Sequence, residues 1–255
     1  MAKKNVNKRQ EIKEDLKEVV SAFNKGVKPT SRKTSSEIKK ELDKSNIELS
    51  AKQDKLYKLI RNKTFVTVQG PAGTSKTFSS CYAALKLLAD RKIEKIILTK
   101  PIKESGEELG HLPGPIEEKT EPFMKSYISN FEKILSKQSI SMLRSLGIIS
   151  VEPLAYLRGI TFDDSIILLD EAQNATIKQL MLWITRLGKN SKAVLMGDIS
   201  QYDIKKRDSK FVDFIKMVDG IEGVGNFAFD ADDIVRNKIL IEIVKRYEIQ
   251  KNDLE

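Results

Sequence analysis

The chain has 255 residues, of which 40% are hydrophobic and 32% charged. That is enough apolar material for a sizeable core, so the sequence is not that of a disordered chain, and its length allows one large domain or one domain with an appendage. Net charge is +9, and +7 of it falls in residues 1–60, which hold 16 Lys and Arg against 9 Asp and Glu.

A single cysteine, Cys81, and a single histidine, His111, exclude a disulfide framework and any zinc site built from several such ligands. They also argue against a Ser-His-Asp hydrolase, since His111 lies in a Gly/Pro-rich stretch and no nucleophile elbow is present. Cys81 reads as a small buried hydrophobe. No apolar run approaches the roughly 20 residues needed to span a bilayer. The basic start, Met1-Ala2-Lys3-Lys4, has no apolar stretch behind it, so no secretory signal is read. These counts fit a reducing, cytoplasmic setting with no membrane partner.

Along the chain, residues 1–47 read as a basic arm, helical or partly disordered, and residues 48–255 as the folded domain. In the arm, Ile12, Leu16, Val19, Val20 and Phe23 have helical spacing, a break follows at 26–31, and Ser35-Ser36-Glu37 opens a second helix with Ile38 and Leu42 on one face. Such an arm suits a nucleic acid or a neighbouring subunit, or is simply a solvated tail. From about residue 50, short β-rich runs alternate with helical ones. The helices predicted are Ala51–Arg61, Lys76–Ala89, Glu117–Leu135, Ile140–Leu146, Ala175–Leu187, Lys210–Val218 and Asp232–Glu248. The strands predicted are Thr64–Gln69, Lys95–Thr99, Ile148–Glu152, Ser165–Asp170 and Lys192–Gly197, with a weaker one at Asn226–Phe229. Strands such as Ile166-Ile167-Leu168-Leu169 are apolar on both faces, as a parallel sheet covered on both sides requires. The fold class expected from this alternation is α/β, a doubly wound, mostly parallel sheet, and the phosphate-loop motif of residues 70–77 narrows it to the P-loop NTPase type.

The strand Val66-Thr67-Val68-Gln69 runs into Gly70-Pro71-Ala72-Gly73-Thr74-Ser75-Lys76-Thr77 and then a helix. This is nearly the phosphate-loop pattern G-x-x-x-x-G-K-[ST] in its strand–loop–helix context. Backbone N–H groups of the loop converge on phosphates at the positive end of the following helix. Lys76 would neutralise the β- and γ-phosphates, and Thr77 would offer its hydroxyl to Mg2+. Ser75 stands where the pattern has its last glycine, so a backbone torsion favouring glycine costs more there.

Asp170, 94 residues after Lys76, ends an apolar strand and is followed by Glu171. This is a second acidic motif: Asp170 would hold the metal through water, and Glu171 would orient and deprotonate the attacking water. Alone, the same pair would read as a cap after a buried strand. Gly197-Asp198-Ile199-Ser200-Gln201 is a third polar strand end, where the Gln201 amide would sense the γ-phosphate. Upstream, Gln53 has the chemistry to read an adenine edge, since an amide pairs with N6 and N7, whereas Tyr57 reads as core packing.

Eight segments in order carry a family resemblance: 70–77, Leu-Thr-Lys-Pro (98–101), Glu-Glu-Leu-Gly-His-Leu-Pro-Gly (107–114), Pro-Leu-Ala-Tyr-Leu-Arg-Gly (153–159), Leu-Asp-Glu-Ala-Gln-Asn (169–174), Thr-Arg-Leu-Gly (185–188), 197–201 and Asp-Ile-Val-Arg (233–236). Over residues 50–248 the sequence resembles the PhoH-like proteins, which are similar to the first RecA-like half of superfamily-one helicases. The resemblance implies an ATP-binding domain with ATPase activity, a hexameric ring and action on RNA. It also implies that Arg236 is an arginine finger reaching a neighbouring subunit's γ-phosphate, and that Arg158 is a second cation facing the nucleotide or the ring interface. By the same likeness, Leu98 to Gly114 would line a single strand's path, with His111 stacking on a base or making a loop contact. A single RecA-like half is expected to translocate only as an oligomer.

The expected function is therefore a Mg2+-dependent, helicase-like ATPase coupled to RNA or single-stranded DNA. The alternative is an ATP-binding assembly module with little or no hydrolysis, motivated by Ser75. A small-molecule kinase lacks a recognisable acceptor pocket and lid, and a nuclease lacks a second carboxylate cluster.

Overall fold

The computed structural model describes residues 32–101, 125–154, 157–199, 210–235, 239 and 241–246. Helices α1 (Arg32–Lys44) and α2 (Ala51–Asn62) precede strand β1 (Phe65–Gln69) and helix α3 (Lys76–Ala89). Strand β2 (Lys95–Thr99) is followed by a helical stretch at 125–131 and by α4 (Lys137–Ser145) and β3 (Ile149–Val151). Then come β4 (Ser165–Leu169), α5 (Ile177–Ile184), β5 (Lys192–Gly197), α6 (Phe211–Val218) and β6 (Val224–Ala228). The six strands form one sheet in the order β3-β2-β4-β5-β1-β6, and every pair in it is parallel.

The two-sided apolar strands explain the layering. In β4 all five residues are buried, and side chains alternate between faces with a period of two. Ile166 and Leu168 enter one core, with Leu56, Leu85, Leu88, Tyr127 and Phe131. Ile167 and Leu169 enter the other, with Leu180, Trp183, Phe211 and Phe214. Helices therefore cover both faces, as expected for a parallel sheet. Cys81 is fully buried in the first core, and burial pushes its thiol pKa well up. No helix among the described residues is long and apolar enough to cross a membrane.

Strands β2 and β5 have the predicted bounds, and the ends of β1, β3 and β4 move by one residue. Strand β6 begins two residues earlier than Asn226, because it pairs with β1 along its whole length from Phe65–Val224 to Gln69–Ala228. Gly225 passes there beneath Leu59 of α2, whose Cδ1 would lie 2.9 Å from a Cβ at that position.

The helices depart more. The helix predicted over Glu117–Leu135 is seen only at 125–131, with 117–124 outside the described residues. It ends four residues early because residues 132–135 turn, with the N–H groups of Ile134 and Leu135 both donated to Phe131 O. Ser136 then caps α4 through Ser139 N–H at 3.3 Å, so α4 starts at Lys137 and not Ile140. Helix α5 starts at Ile177 and not Ala175 because Thr176 caps it in a reciprocal box with Gln179, and it ends at Ile184 because the chain turns there and Leu187 bridges to Phe162. Asp232–Glu248 is not one helix. Asp230 caps a single turn at Ala231–Asp233, Ile234 and Val235 leave helical geometry, and helix is seen again at 239 and 241–246 among the described residues. The break follows from Val235, whose N–H is donated to Gly73 O of the phosphate loop at 3.2 Å.

The helix expected from Ser35 is α1, which begins at Arg32. Ile38 and Leu42 are 1% and 6% exposed and belong to the first core. Glu41 accepts from Ser136 N–H and from Ser139 Oγ at 2.5 Å, tying α1 to α4. The predicted segment Ile12–Phe23 and His111 lie outside the described residues.

Candidate functional site

Strands β1, β4 and β5 are neighbours and end on the same edge of the sheet, which brings three polar strand ends together. Ligands of open α/β sheets bind beyond the carboxyl ends of the strands. The phosphate loop leaves β1 at Gly70, whose N–H is donated to Gly197 O at 3.3 Å. Gly70 has φ +154°, and a Cβ there would lie 2.7 Å from Phe229 Cβ, so only glycine lets the loop pass the segment after β6. Ser75 adopts a left-handed conformation, φ 65° and ψ 25°, directly before α3. The glycine pattern thus marked a real backbone demand, and this chain meets it with a residue that carries a Cβ.

Lys76 Nζ donates to the loop's own carbonyls, Gly70 O at 2.5 Å and Pro71 O at 2.8 Å. Burial pulls its pKa below the ordinary lysine value, and the charges of Asp198, Asp170 and Glu171 push back against that shift. Thr74 Oγ1 closes the loop by donating to Pro71 O at 2.8 Å. Thr77 Oγ1 donates to Asp170 Oδ2 at 2.9 Å across 93 residues of sequence. Asp170 is 5% exposed, and its Oδ1 accepts Glu171 N–H at 3.0 Å. Glu171 is exposed and, like Ser75, left-handed, with φ 57°. Non-glycine residues in this region tend to cluster where structure over-determines them, functional sites included.

These groups border a cavity of about 620 Å3, within the range of small-molecule sites, roughly 300–1,000 Å3. Ala72, Gly73, Ser75, Lys76, Thr77, Asp170, Glu171 and Asp198 line it together with Gln53, Glu48 and Ser50. Gln53 is 8% exposed, and its Oε1 accepts Ser50 N–H at 2.9 Å in the capping box that starts α2. One lone pair of that amide oxygen is therefore committed before any base arrives. Tyr57 packs edge-on against Tyr82, with ring centroids 5.8 Å apart, consistent with the packing role. Arg158 is exposed on a turn and is not among the residues lining the cavity. Gln201, Arg236 and residues 102–114 of the expected strand path lie outside the described residues.

A hydroxyl and a carboxylate 2.9 Å apart are hard oxygen donors of the kind Mg2+ takes, and that ion commonly completes its shell with water and phosphate oxygens. Among the described residues no group of three or more His, Cys, Asp and Glu forms a self-sufficient metal site. The hydroxyl and carboxylate pair fits Mg2+ with the rest of its shell supplied by water or phosphate oxygens.

Two residues at the site had no separate role in the sequence reading. Asp198 is 4% exposed, and its N–H is donated to Gln173 Oε1 at 3.0 Å. Gln173 is 1% exposed and donates from Nε2 to Glu171 Oε2 at 2.7 Å. Their signal was the polar residues within Asp-Glu-Ala-Gln and Gly-Asp, but only the sheet order shows that the two motifs adjoin.

Residues 47–248 match the family described as PhoH-like protein. The PhoH-like protein of Bacillus subtilis (strain 168) is 40% identical over 182 residues, covering 71% of this chain and 57% of that protein. Protein PhoH of Escherichia coli (strain K12) is 32% identical over 196 residues, covering 74% of this chain and 54% of that protein. The chain thus spans a little over half the length of these curated relatives. Among solved structures, the large terminase of a thermophilic bacteriophage superposes with a TM-score of 0.50 at 13% identity, covering 78% of this chain and 50% of that one, a likeness of fold. With four-fifths of its length matched to the family and relatives at 32–40% identity, the chain belongs to the PhoH-like proteins.

Proposed function

We propose that this chain binds ATP with Mg2+ in the cavity above β1, β4 and β5 and hydrolyses it, in a cycle coupled to RNA or single-stranded DNA. The observation that carries the reading is the convergence of Lys76, Thr77, Asp170 and Glu171, from two motifs 94 residues apart, on one cavity. The loop N–H groups from Ala72 to Thr77 receive the phosphates. Lys76 exchanges the carbonyls of Gly70 and Pro71 for β- and γ-phosphate oxygens, which offsets the cost of holding a partly buried ammonium. Thr77 and Asp170 hold the metal, which supplies neutralisation of charge on the phosphates. Glu171 orients the attacking water and accepts its proton, and Gln53 contacts the base. Gln201 as γ-phosphate sensor, Arg236 as finger toward a neighbouring protomer and Arg158 as a ring-interface or nucleotide cation complete the proposal, each resting on its sequence motif. A hexameric ring in the cytoplasm belongs to the same proposal, as does a division at 47/48 into a basic N-terminal segment and the ATPase domain, with α1 of that segment packed against the domain's first core.

ATP turnover in the wild type, Lys76→Ala and Glu171→Gln tests it. Glu171→Gln should keep ATP binding and lose turnover by about 100-fold or more, the scale of a general base. Lys76→Ala should lose both. Wild-type turnover in both variants would remove the hydrolytic reading.

The second reading keeps the nucleotide as an assembly ligand, and the left-handed Ser75 favours it. Tight ATP binding by calorimetry, with no phosphate released even when RNA or single-stranded DNA is added, would select this reading over the first.

A further inference from the structure

One buried amide at the site is left without a role by the reactions above. Gln173 lies in the single turn Ala172–Asn174 after β4 and is 1% exposed. Its two ends face different strands. Nε2 donates to Glu171 Oε2 at 2.7 Å, and Oε1 accepts the Asp198 N–H at 3.0 Å. The orientation of the amide is set by its neighbours, since a carboxylate needs a donor and a backbone N–H needs an acceptor. The amide is also walled in. A Cβ on Gly197 would lie 3.0 Å from Gln173 Oε1 and 2.6 Å from Phe211 Cε1, so the glycine at the end of β5 makes room for this contact.

We infer that Gln173 is a positioning residue: it aims the Glu171 carboxylate and fastens it to the carboxyl end of β5. The inference rests on the proposed ATPase. Glu171 is exposed and sits on a left-handed backbone, so its long side chain has many rotamers unless something holds it. Gln173 is a neutral group that holds the carboxylate without taking its charge. Because the same amide grips Asp198, a shift of the backbone there moves the hydrogen-bond donor on Glu171. Strand β5 ends at Gly197, and Asp198 opens the segment that leads to Gln201. Occupancy on that side of the cavity is therefore felt at the water-activating carboxylate through one side chain.

The test compares Gln173→Leu, which removes both bonds, with Gln173→Glu, which keeps an acceptor for Asp198 but sets a like charge against Glu171. Each is measured for ATP turnover and for ATP dissociation constant, alone and in the Glu171→Gln background. Misplacing a catalytic group costs about 10- to 100-fold, so kcat should fall on that scale in both single variants, with ATP affinity within about threefold of wild type. In the Glu171→Gln background neither change should lower the residual rate further, because Gln173 acts through Glu171. If Gln173→Leu fails to fold, the near-isosteric Gln173→Glu gives the answer. A wild-type kcat in Gln173→Glu, equal losses in affinity and rate, or undiminished losses without Glu171 would each overturn the inference. Amide exchange at Asp198 supplies a readout that needs no turnover. It should quicken about tenfold in Gln173→Leu, the scale of losing a hydrogen bond worth one factor of ten, and lose its response to added ATP. Unchanged exchange also overturns the inference. A wild type that never hydrolyses ATP sinks the catalytic reading instead, and the exchange measurement still decides whether Gln173 ties Glu171 to β5.

Discussion

Ser75 shows how a single residue sets the state of the phosphate loop. Its left-handed backbone, φ 65°, carries a Cβ where glycine has none. Left-handed geometry costs an L-residue about 1–2 kcal/mol, and a glycine in its place returns roughly 0.5–1 kcal/mol of that as extra freedom in the unfolded chain. Ser75→Gly should therefore stabilise the protein by about 1 kcal/mol or less, read from urea melts. If the strain also slows the loop's rearrangement around phosphates, the same variant raises kcat, while under the assembly reading it leaves phosphate release at zero. Lys76 illustrates a different point. Its partners are the loop's own carbonyls, so the loop is closed on itself and the phosphates of the proposed nucleotide would compete with backbone oxygens for the ammonium.

Among the elements, the segment that follows β6 acts as a strap on the phosphate loop. Phe229 abuts Gly70, Val235 bonds Gly73, and Lys52 of α2 reaches Asp230 at 2.7 Å and Asp233 at 2.5 Å. The strap thus joins the helix that carries Gln53 to the loop that carries Lys76. Hydrogen bonding to Lys52 holds the Asp230 carboxyl below its usual value. Burial lowers the Lys52 pKa, but the two carboxylates outweigh it and leave it raised. A depressed carboxyl contributes stability above its unfolded pKa, about 3.9, and loses it as pH falls through the lower folded value. A raised lysine contributes below about 10.4 and loses it as pH rises through the higher folded value. Lys52→Met should therefore flatten both the acid and the alkaline limbs of a stability–pH curve relative to wild type, measured by denaturant melts between pH 2 and 11. Helix α1 is held differently, by burial. Ile38→Ala removes a side chain 1% exposed in the first core and should cost about 2–5 kcal/mol, while Glu37→Ala on the exposed face of the same helix should change stability by under about 0.5 kcal/mol.

For the molecule as a whole, binding of the proposed nucleotide would be linked to folding by mass action. A nucleotide at 100 times its dissociation constant stabilises a folded protein that alone binds it by about 2.7 kcal/mol. For a chain of this size that is a rise of roughly 5–10 °C in melting temperature, expected with Mg2+ and ATP in the wild type and absent in Lys76→Ala. Charge is the other property of the whole. Residues 1–31 hold 8 Lys and Arg against 4 Asp and Glu, so part of the basic excess lies ahead of α1. If the protein binds RNA through that excess, the logarithm of the affinity falls linearly with log salt, at about 0.7 per neutralised phosphate for a single strand. Removing residues 1–31 should then reduce that slope without changing ATP binding, measured by titrations across a salt series.

The sequence by itself determined the α/β class, the strand order along the chain and the identity of the phosphate loop and the acidic strand end. Those features are local: two-sided apolar runs specify a covered parallel sheet, and a loop between strand and helix specifies where N–H groups converge. It also marked Ser75 as the departure, because the requirement for a left-handed backbone is local too. Only the tertiary structure decided that Thr77 meets Asp170, that the predicted helix from Asp232 breaks to reach Gly73, and that α1 belongs to the core. The same holds for Gln173, which joins Glu171 to Asp198 because β5 lies beside β4. Contacts between residues far apart in the chain depend on which strands are neighbours, and that order follows from how helices fill the two faces of the sheet together, which no single stretch of residues encodes.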